Sequence, residues 1–235
     1  MLRAVSVEDY TKPILDGEGA SDYERYLRTD ELLSLQRRPE EQGHRDELLF
    51  QTFHQASELW LKLAWTEVEE ATGLIERGEL APAERLLRRA HLCLDYVVGQ
   101  LEMLEQLSPW EYQAVRQELG HGSGFDSPGF REIRRVAPSL GQAFQARLRE
   151  AGLNVVELYR RGREHEDLYQ LVELLVGWDE RITMWRMRHY FVVARIIGDT
   201  QGTPVELLGG LINQRLYPEL WQARNRLTEL ANEEE

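Results

Sequence analysis

The segment His44 to Lys62, HRDELLFQTFHQASELWLK, repeats apolar residues on a helical period, and this commits the chain to helix packing. At 3.6 residues per turn, Phe50, Phe53, His54, Ser57 and Leu61 share one side, while Arg45, Asp46, Gln55 and Lys62 reach water. The pattern extends over 44–77, and another of similar length covers 164–197; with 82–106 these supply the long elements of a helical bundle. Further helical patterns run over 22–37, 109–119, 128–150, 153–162 and 204–231, and no strand pattern competes. Breaks are expected where Gly and Pro gather: Pro39 to Gly43, Glu76 to Pro82, Leu107 to Pro109, Gly120 to Gly124 and Gly198 to Pro204. A chain of 235 residues, 42% hydrophobic, has material for one sizeable core. The expected fold is therefore all-α, a bundle of long helices enclosing a pocket, with 1–235 as a single domain and 1–21 as an N-terminal arm.

His54 is the odd member of its stripe, because an imidazole on an apolar face needs a partner or a task. One reading is a core histidine bonded to a neighbouring carbonyl. A second such residue favours the other reading. In DERITMWRMRHYFVVARIIG, Ile182, Trp185, His189, Val192 and Ile196 form one helical seam with the imidazole near its middle, and Arg181, Arg186, Arg188 and Arg195 surround it. An imidazole walled by Trp and aliphatic side chains, with cations at the edge, suits axial ligation of a haem whose propionates need countercharge. Neither HxxxH nor HExxH is present, and with Cys93 the single cysteine among scattered histidines, structural zinc is not expected.

Charge narrows the partners. The net charge of −13 disfavours the phosphate backbone of nucleic acids and anionic membrane surfaces. No apolar run approaches the roughly 20 residues that span a bilayer. The start, MLRAVSVEDYTKP, lacks the apolar centre of a secretion signal, and one cysteine makes no intrachain disulfide, so a cytoplasmic location is expected.

Two loops have the composition of ligand contacts. LGHGSGFDSPGF, from Leu119 to Phe130, concentrates glycine and serine and permits close backbone approach to something flat or anionic; it also reads as a plain turn between helices. GDTQGTPVELLGG, from Gly198 to Gly210, follows the His189 helix and suits a lid. In SPWEYQAVRQELG, Ser108 and Pro109 have the pattern of an N-cap and first helical residue, which sets Tyr112 and Arg116 four apart on one face. Arg116 reads either as a solvated charge or as a guanidinium that grips a carboxylate through two parallel hydrogen bonds beside the Tyr112 hydroxyl.

Six segments in order resemble the haem-dependent tryptophan 2,3-dioxygenases: DYERYLRTDELLSLQ, HRDELLFQTFHQASELWLK, PWEYQAVRQELGHGSGFDS, WRMRHYFVVARIIG, the pair Gly202 and Thr203, and YPELW at Tyr217 to Trp221. The resemblance implies haem b, with its iron held by His189 in the WRxxH segment beside Trp185, and Ser123 and Gly124 lining the opposite haem face. It implies that His54 receives the indole N–H, that Phe50 walls the indole slot, and that Arg116, Tyr112 and Thr203 hold the amino acid head group. Tyr23, Tyr26 and Leu27 match a segment that reaches a neighbouring subunit's pocket in the family, implying a homotetramer or dimer. The reaction implied is insertion of dioxygen across the C2–C3 bond of L-tryptophan or a related aromatic amino acid, giving an N-formylkynurenine. Relatives that insert one oxygen atom, and a haem-binding sensor without chemistry, are the alternative readings.

The chain departs from the family pattern in three places. PVELLGG follows Thr203 where a Gly- and Ser-rich closing loop is usual, the interval from Ser123 to Trp185 is short, and Asp126 stands where the family prefers glutamine.

Overall fold

The computed structural model describes residues 12–198 and 204–233, and among these the regular elements are all helical. In chain order they are α1 (Asp22–Leu27), α2 (Thr29–Leu33), α3 (Glu47–Glu76), α4 (Leu80–Gly99), α5 (Leu101–Leu104), α6 (Pro109–Leu119), α7 (Pro128–Glu150), α8 (Val155–Arg160), α9 (Glu166–Ile197), α10 (Pro204–Leu211) and α11 (Pro218–Glu233). Two long helices, α3 of 30 residues and α9 of 32, are the frame. At 1.5 Å per residue each runs about 45 Å.

The buried side of α3 is Phe53, Ser57, Leu61, Ala64, Val68, Ala71 and Ile75, the three- and four-residue spacing foreseen from the sequence. That of α9 is Leu168, Leu171, Leu175, Trp178, Ile182, Val192 and Ile196. Helices α4 and α7 pack against α3, and α4 also packs on α9. Leu61, Leu87, Leu94, Leu140, Phe144, Leu171 and Trp178 meet in a large cluster fully removed from water. Burying each such side chain contributes about 1.5–3 kcal/mol, which fixes the angular position of every helix in the frame. A smaller cluster of Phe53, Leu101, Leu104, Leu107, Val192 and Ile196 sits nearer the α9 C-terminus, and Trp185 packs against both. The space between the clusters is where the site forms.

Local capping explains the ends. Ser108 accepts from the Glu111 amide at 3.1 Å and Pro109 opens α6, while Ser127 accepts from the Phe130 amide at 3.2 Å at the start of α7. At the start of α3 the buried Glu47 turns back, accepting from the Gly43 and His44 amides and from Arg37.

Three expected helices are interrupted. The 22–37 pattern breaks at Arg28, which takes a left-handed conformation with φ 54° and ends α1. The 82–106 pattern turns after Gly99, where the Gln100 side chain donates to Ser57 Oγ at 2.8 Å. The 204–231 pattern breaks after Leu211 because the Leu216 and Tyr217 amides are bonded by Asp179 of α9. Among the described residues, no helix is long and apolar enough to cross a membrane.

Candidate functional site

Both expected imidazoles open onto one cavity of about 430 Å³, within the range of small-molecule sites. His54 comes from the middle of α3 and His189 from the C-terminal half of α9. The long helices are held against α4 and α7 by the large cluster, so the two rings are set by the frame and not by loops.

His54 is bonded along its own helix, as the core reading expected, and it also borders the cavity. Its Nδ1 lies 2.7 Å from the Phe50 carbonyl, a core-type bond along the helix. Burial lowers its pKa below the usual imidazole value, against the opposing pull of that carbonyl and of Glu58. A neutral ring that donates from Nδ1 presents Nε2 as an acceptor. Phe50 lies 4.1 Å from the His54 ring and 6.1 Å from Tyr112, forming an aromatic wall.

The surroundings of His189 are different. Burial, then the neighbouring His54, lowers its pKa to about 4, so the ring is neutral at physiological pH. Trp185 stacks on it at 4.8 Å and 10°, and Phe130 packs on Trp185 at 3.7 Å. Its Nδ1 is buried without a hydrogen-bond partner. Opposite the ring, Gly124 leaves space that a Cβ would fill, 3.6 Å from Cε1 and 3.8 Å from Nε2. A shielded, neutral, aromatically braced imidazole with a glycine before its ring nitrogen fits an axial ligand for the iron of a flat cofactor. Among the described residues, the side chains close enough to share a cation are His44, Asp46 and Glu111, which lie outside this cavity.

The Gly-rich segment supplies the wall beyond His189. Ser123 Oγ accepts from the Phe125 amide at 3.2 Å and Asp126 Oδ2 from the Ser123 amide at 2.9 Å, which closes a tight 3-10 turn around Gly124. Asp126 is thus a cap in this chain. Leu119 to Phe125 all line the cavity.

Tyr112 and Arg116 of α6 also line it, four apart on one face as their spacing required. Burial raises the Tyr112 hydroxyl's pKa and the nearby Arg116 opposes this, so the phenol remains a donor at neutral pH. The cation ring foreseen around His189 is corrected by the structure. Arg181 pairs with Asp95 at 2.9 Å and Arg188 with Glu105 at 2.8 Å, with Arg195 3.9 Å from the other oxygen of the same Glu105. Of the four, only Arg186 lines the cavity, and Arg134 of α7 joins it there. Helical spacing placed these arginines around the seam but could not reveal which acids, on α4 and at the end of α5, claim them.

The family model for tryptophan 2,3-dioxygenase matches residues 8–150. A tryptophan 2,3-dioxygenase of Pseudomonas fluorescens is 32% identical, covering 91% of this chain and 93% of its own length. This chain belongs to the tryptophan 2,3-dioxygenase family. Proteins of the same name from Caulobacter vibrioides and Myxococcus xanthus are also 32% identical, over 87% and 92% of this chain and 98% and 92% of theirs. The Pseudomonas alignment runs over 267 positions while covering 91% of this 235-residue chain, so roughly 50 positions of the family protein have no counterpart here.

The family segments occupy several places. Phe50, His54, Tyr112, Arg116, Ser123, Gly124, Trp185 and His189 all border the cavity. Tyr23, Tyr26 and Leu27 lie on α1, 68%, 78% and 46% exposed, and do not line it. Thr203 lies outside the described residues. Of the expected lid, 204–211 is helix α10, whose Leu208 and Leu211 form part of the wall.

Two residues that sequence reasoning passed over hold these walls. Asp179, fully buried, accepts from the Leu216 amide at 3.0 Å, the Tyr217 amide at 3.3 Å and Trp221 Nε1 at 2.9 Å. Glu58 accepts from Ser127 Oγ and the Gly129 amide. A carboxylate on the buried side of a helix was the available signal for Asp179; Glu58 reads like any helix-surface acid.

Proposed function

We propose that this chain is a haem-dependent dioxygenase that inserts dioxygen across the indole C2–C3 bond of L-tryptophan, or of a ring-substituted tryptophan, to give an N-formylkynurenine. The observation that carries this reading is one cavity bordered by two shielded, neutral imidazoles from different long helices and by an arginine–tyrosine pair. The names of the relatives support the same substrate.

In this reading His189 would hold the iron of haem b, Trp185 would brace that imidazole, and Ser123 and Gly124 would line the haem pocket. Bound haem supplies the activation of dioxygen. The chain's own residues supply position. The Phe50 wall receives the indole ring, and His54 accepts the indole N–H at Nε2. Because Nδ1 of His54 is committed to the Phe50 carbonyl, the ring cannot turn without breaking that bond, so the acceptor direction is fixed. Arg116 takes the substrate carboxylate in a two-point grip, with the Tyr112 hydroxyl beside it and Thr203 at the head group. The apolar lining from Leu104, Leu107, Val192 and Ile196 excludes water and strengthens the charged contacts. Tyr23, Tyr26 and Leu27 dock on a neighbouring copy in a cytoplasmic homotetramer, a use that accounts for their exposure.

The test is mass spectrometry of the product formed by reduced, haem-loaded protein from L-tryptophan and isotopically labelled dioxygen. Two labelled atoms in a ring-opened product are expected. One labelled atom in a closed ring, or no turnover of any tryptophan, refutes the reading.

A further inference from the structure

Glu58 stands one helical turn after His54 on α3 and is only partly exposed. Both its oxygens are used by the segment that follows the Gly-rich turn. Oε1 accepts from the Ser127 hydroxyl at 2.5 Å and Oε2 from the Gly129 amide at 2.8 Å. Ser127 is also the N-cap of α7, so the carboxylate sits against the positive end of a 23-residue helix.

The approach is close because Gly129 lacks a side chain. A Cβ there would lie 2.6 Å from Leu61 Cβ and 2.7 Å from Glu58 Oε2, which α3 could not accommodate without moving. Just upstream, the Ser127 amide donates to the Gly124 carbonyl at 3.4 Å, closing the turn whose Gly124 stands before His189. A continuous set of bonds therefore runs from Glu58 through Ser127 to the turn. His54 lies one turn earlier on the same helix.

We propose that Glu58 is a positioning residue that locks the Ser123–Asp126 turn to the His54 helix, setting the gap between that turn and His189. Hydrogen bonds to an ionised acceptor are the strong class, and the turn itself is otherwise solvent-exposed, so this link dominates its order. Its consequence for catalysis rests on the proposed haem reading; the link itself does not.

The experiment separates the two. Amide hydrogen exchange on the full chain without added ligand compares wild type, Glu58→Ala, Glu58→Gln and Ser127→Ala. Exchange across Gly124 to Gly129 should rise about tenfold or more in Glu58→Ala, with α4 and α9 unchanged, and Glu58→Gln should recover part of the protection by keeping an oxygen for Gly129. Should Glu58→Ala fail to fold, Ser127→Ala removes the Oε1 half of the link together with the α7 cap and should show a smaller local rise, which Ser127→Thr, keeping the hydroxyl for both, should not. In haem-loaded protein, Glu58→Ala should bind added imidazole at the ferric iron several-fold more tightly than wild type, since the turn no longer fences that face. Unchanged exchange in both Glu58→Ala and Ser127→Ala overturns the proposal. A local rise in exchange with no haem uptake by wild type leaves the link standing and removes the haem reading.

Discussion

Replacing Asp179 with Ala should be among the most damaging single changes outside the site residues. The carboxylate is 0% exposed and accepts three hydrogen bonds, from the Leu216 and Tyr217 amides and the Trp221 indole. Its charge also faces Arg186, which burial and the neighbouring Arg134 and Arg215 push toward a lower pKa and Asp179 pulls back. Hydrogen bonds to a charged acceptor contribute about 1.5–3 kcal/mol each, but three on one group are not additive. Removing one partner from a buried charged network costs about 3–5 kcal/mol. For a chain of this size about 2–4 °C is lost per kcal/mol, so the melting temperature should fall by roughly 6–20 °C. Asp179→Asn should fall between wild type and Asp179→Ala, because its one carbonyl oxygen still accepts while its amide group opposes the remaining donors. Urea denaturation followed by circular dichroism measures both. A loss under about 1 kcal/mol in Asp179→Ala would refute the claim that this carboxylate holds the α10–α11 connection to α9.

Four further outcomes follow from the same structure. His189→Ala should fold yet take up no haem, read from the absorbance of the reconstituted protein; full uptake would remove His189 as the ligand. Gly124→Ala adds a methyl at ordinary contact distance from the His189 ring, so stability should change by under about 1 kcal/mol while haem uptake falls sharply. Arg116→Ala should raise KM for L-tryptophan by about 10- to 100-fold, the loss expected for a charged hydrogen-bonded grip, while a substrate analogue lacking the carboxylate should be indifferent to it. The pH dependence concerns His91, whose Nε2 donates to the Leu174 carbonyl at 2.9 Å and whose pKa is lowered to about 4 by burial and then by Arg181. The unfolded chain protonates this ring below about 6.5, so between about 4 and 6.5 it binds more protons than the folded state. The His91 contribution to stability is full above that window and falls as pH drops through it, by up to about 1.4 kcal/mol per pH unit, and His189, lowered to about the same value, adds in the same sense. His91→Gln should flatten the slope by up to one proton.

Periodicity alone determined the helical frame. The α3 and α9 stripes were legible because burial of one side must repeat every three or four residues, and His54 and His189 were conspicuous because they interrupt apolar stripes. Tyr112 and Arg116 were readable as neighbours for the same local reason, and so was the Ser108 cap, which acts within one turn. The tertiary structure alone decided which distant partners each residue meets. Arg181, Arg188 and Arg195 read like pocket cations until Asp95 and Glu105 were brought beside them. Asp179 ends the expected helix after Leu211 by taking amides 37 and 38 residues away, and Glu58 reaches 69 and 71 residues to fasten the Gly-rich turn. Helical spacing carries information over a few residues, whereas the choice of ion-pair and hydrogen-bond partners is made only when packing sets the helices side by side.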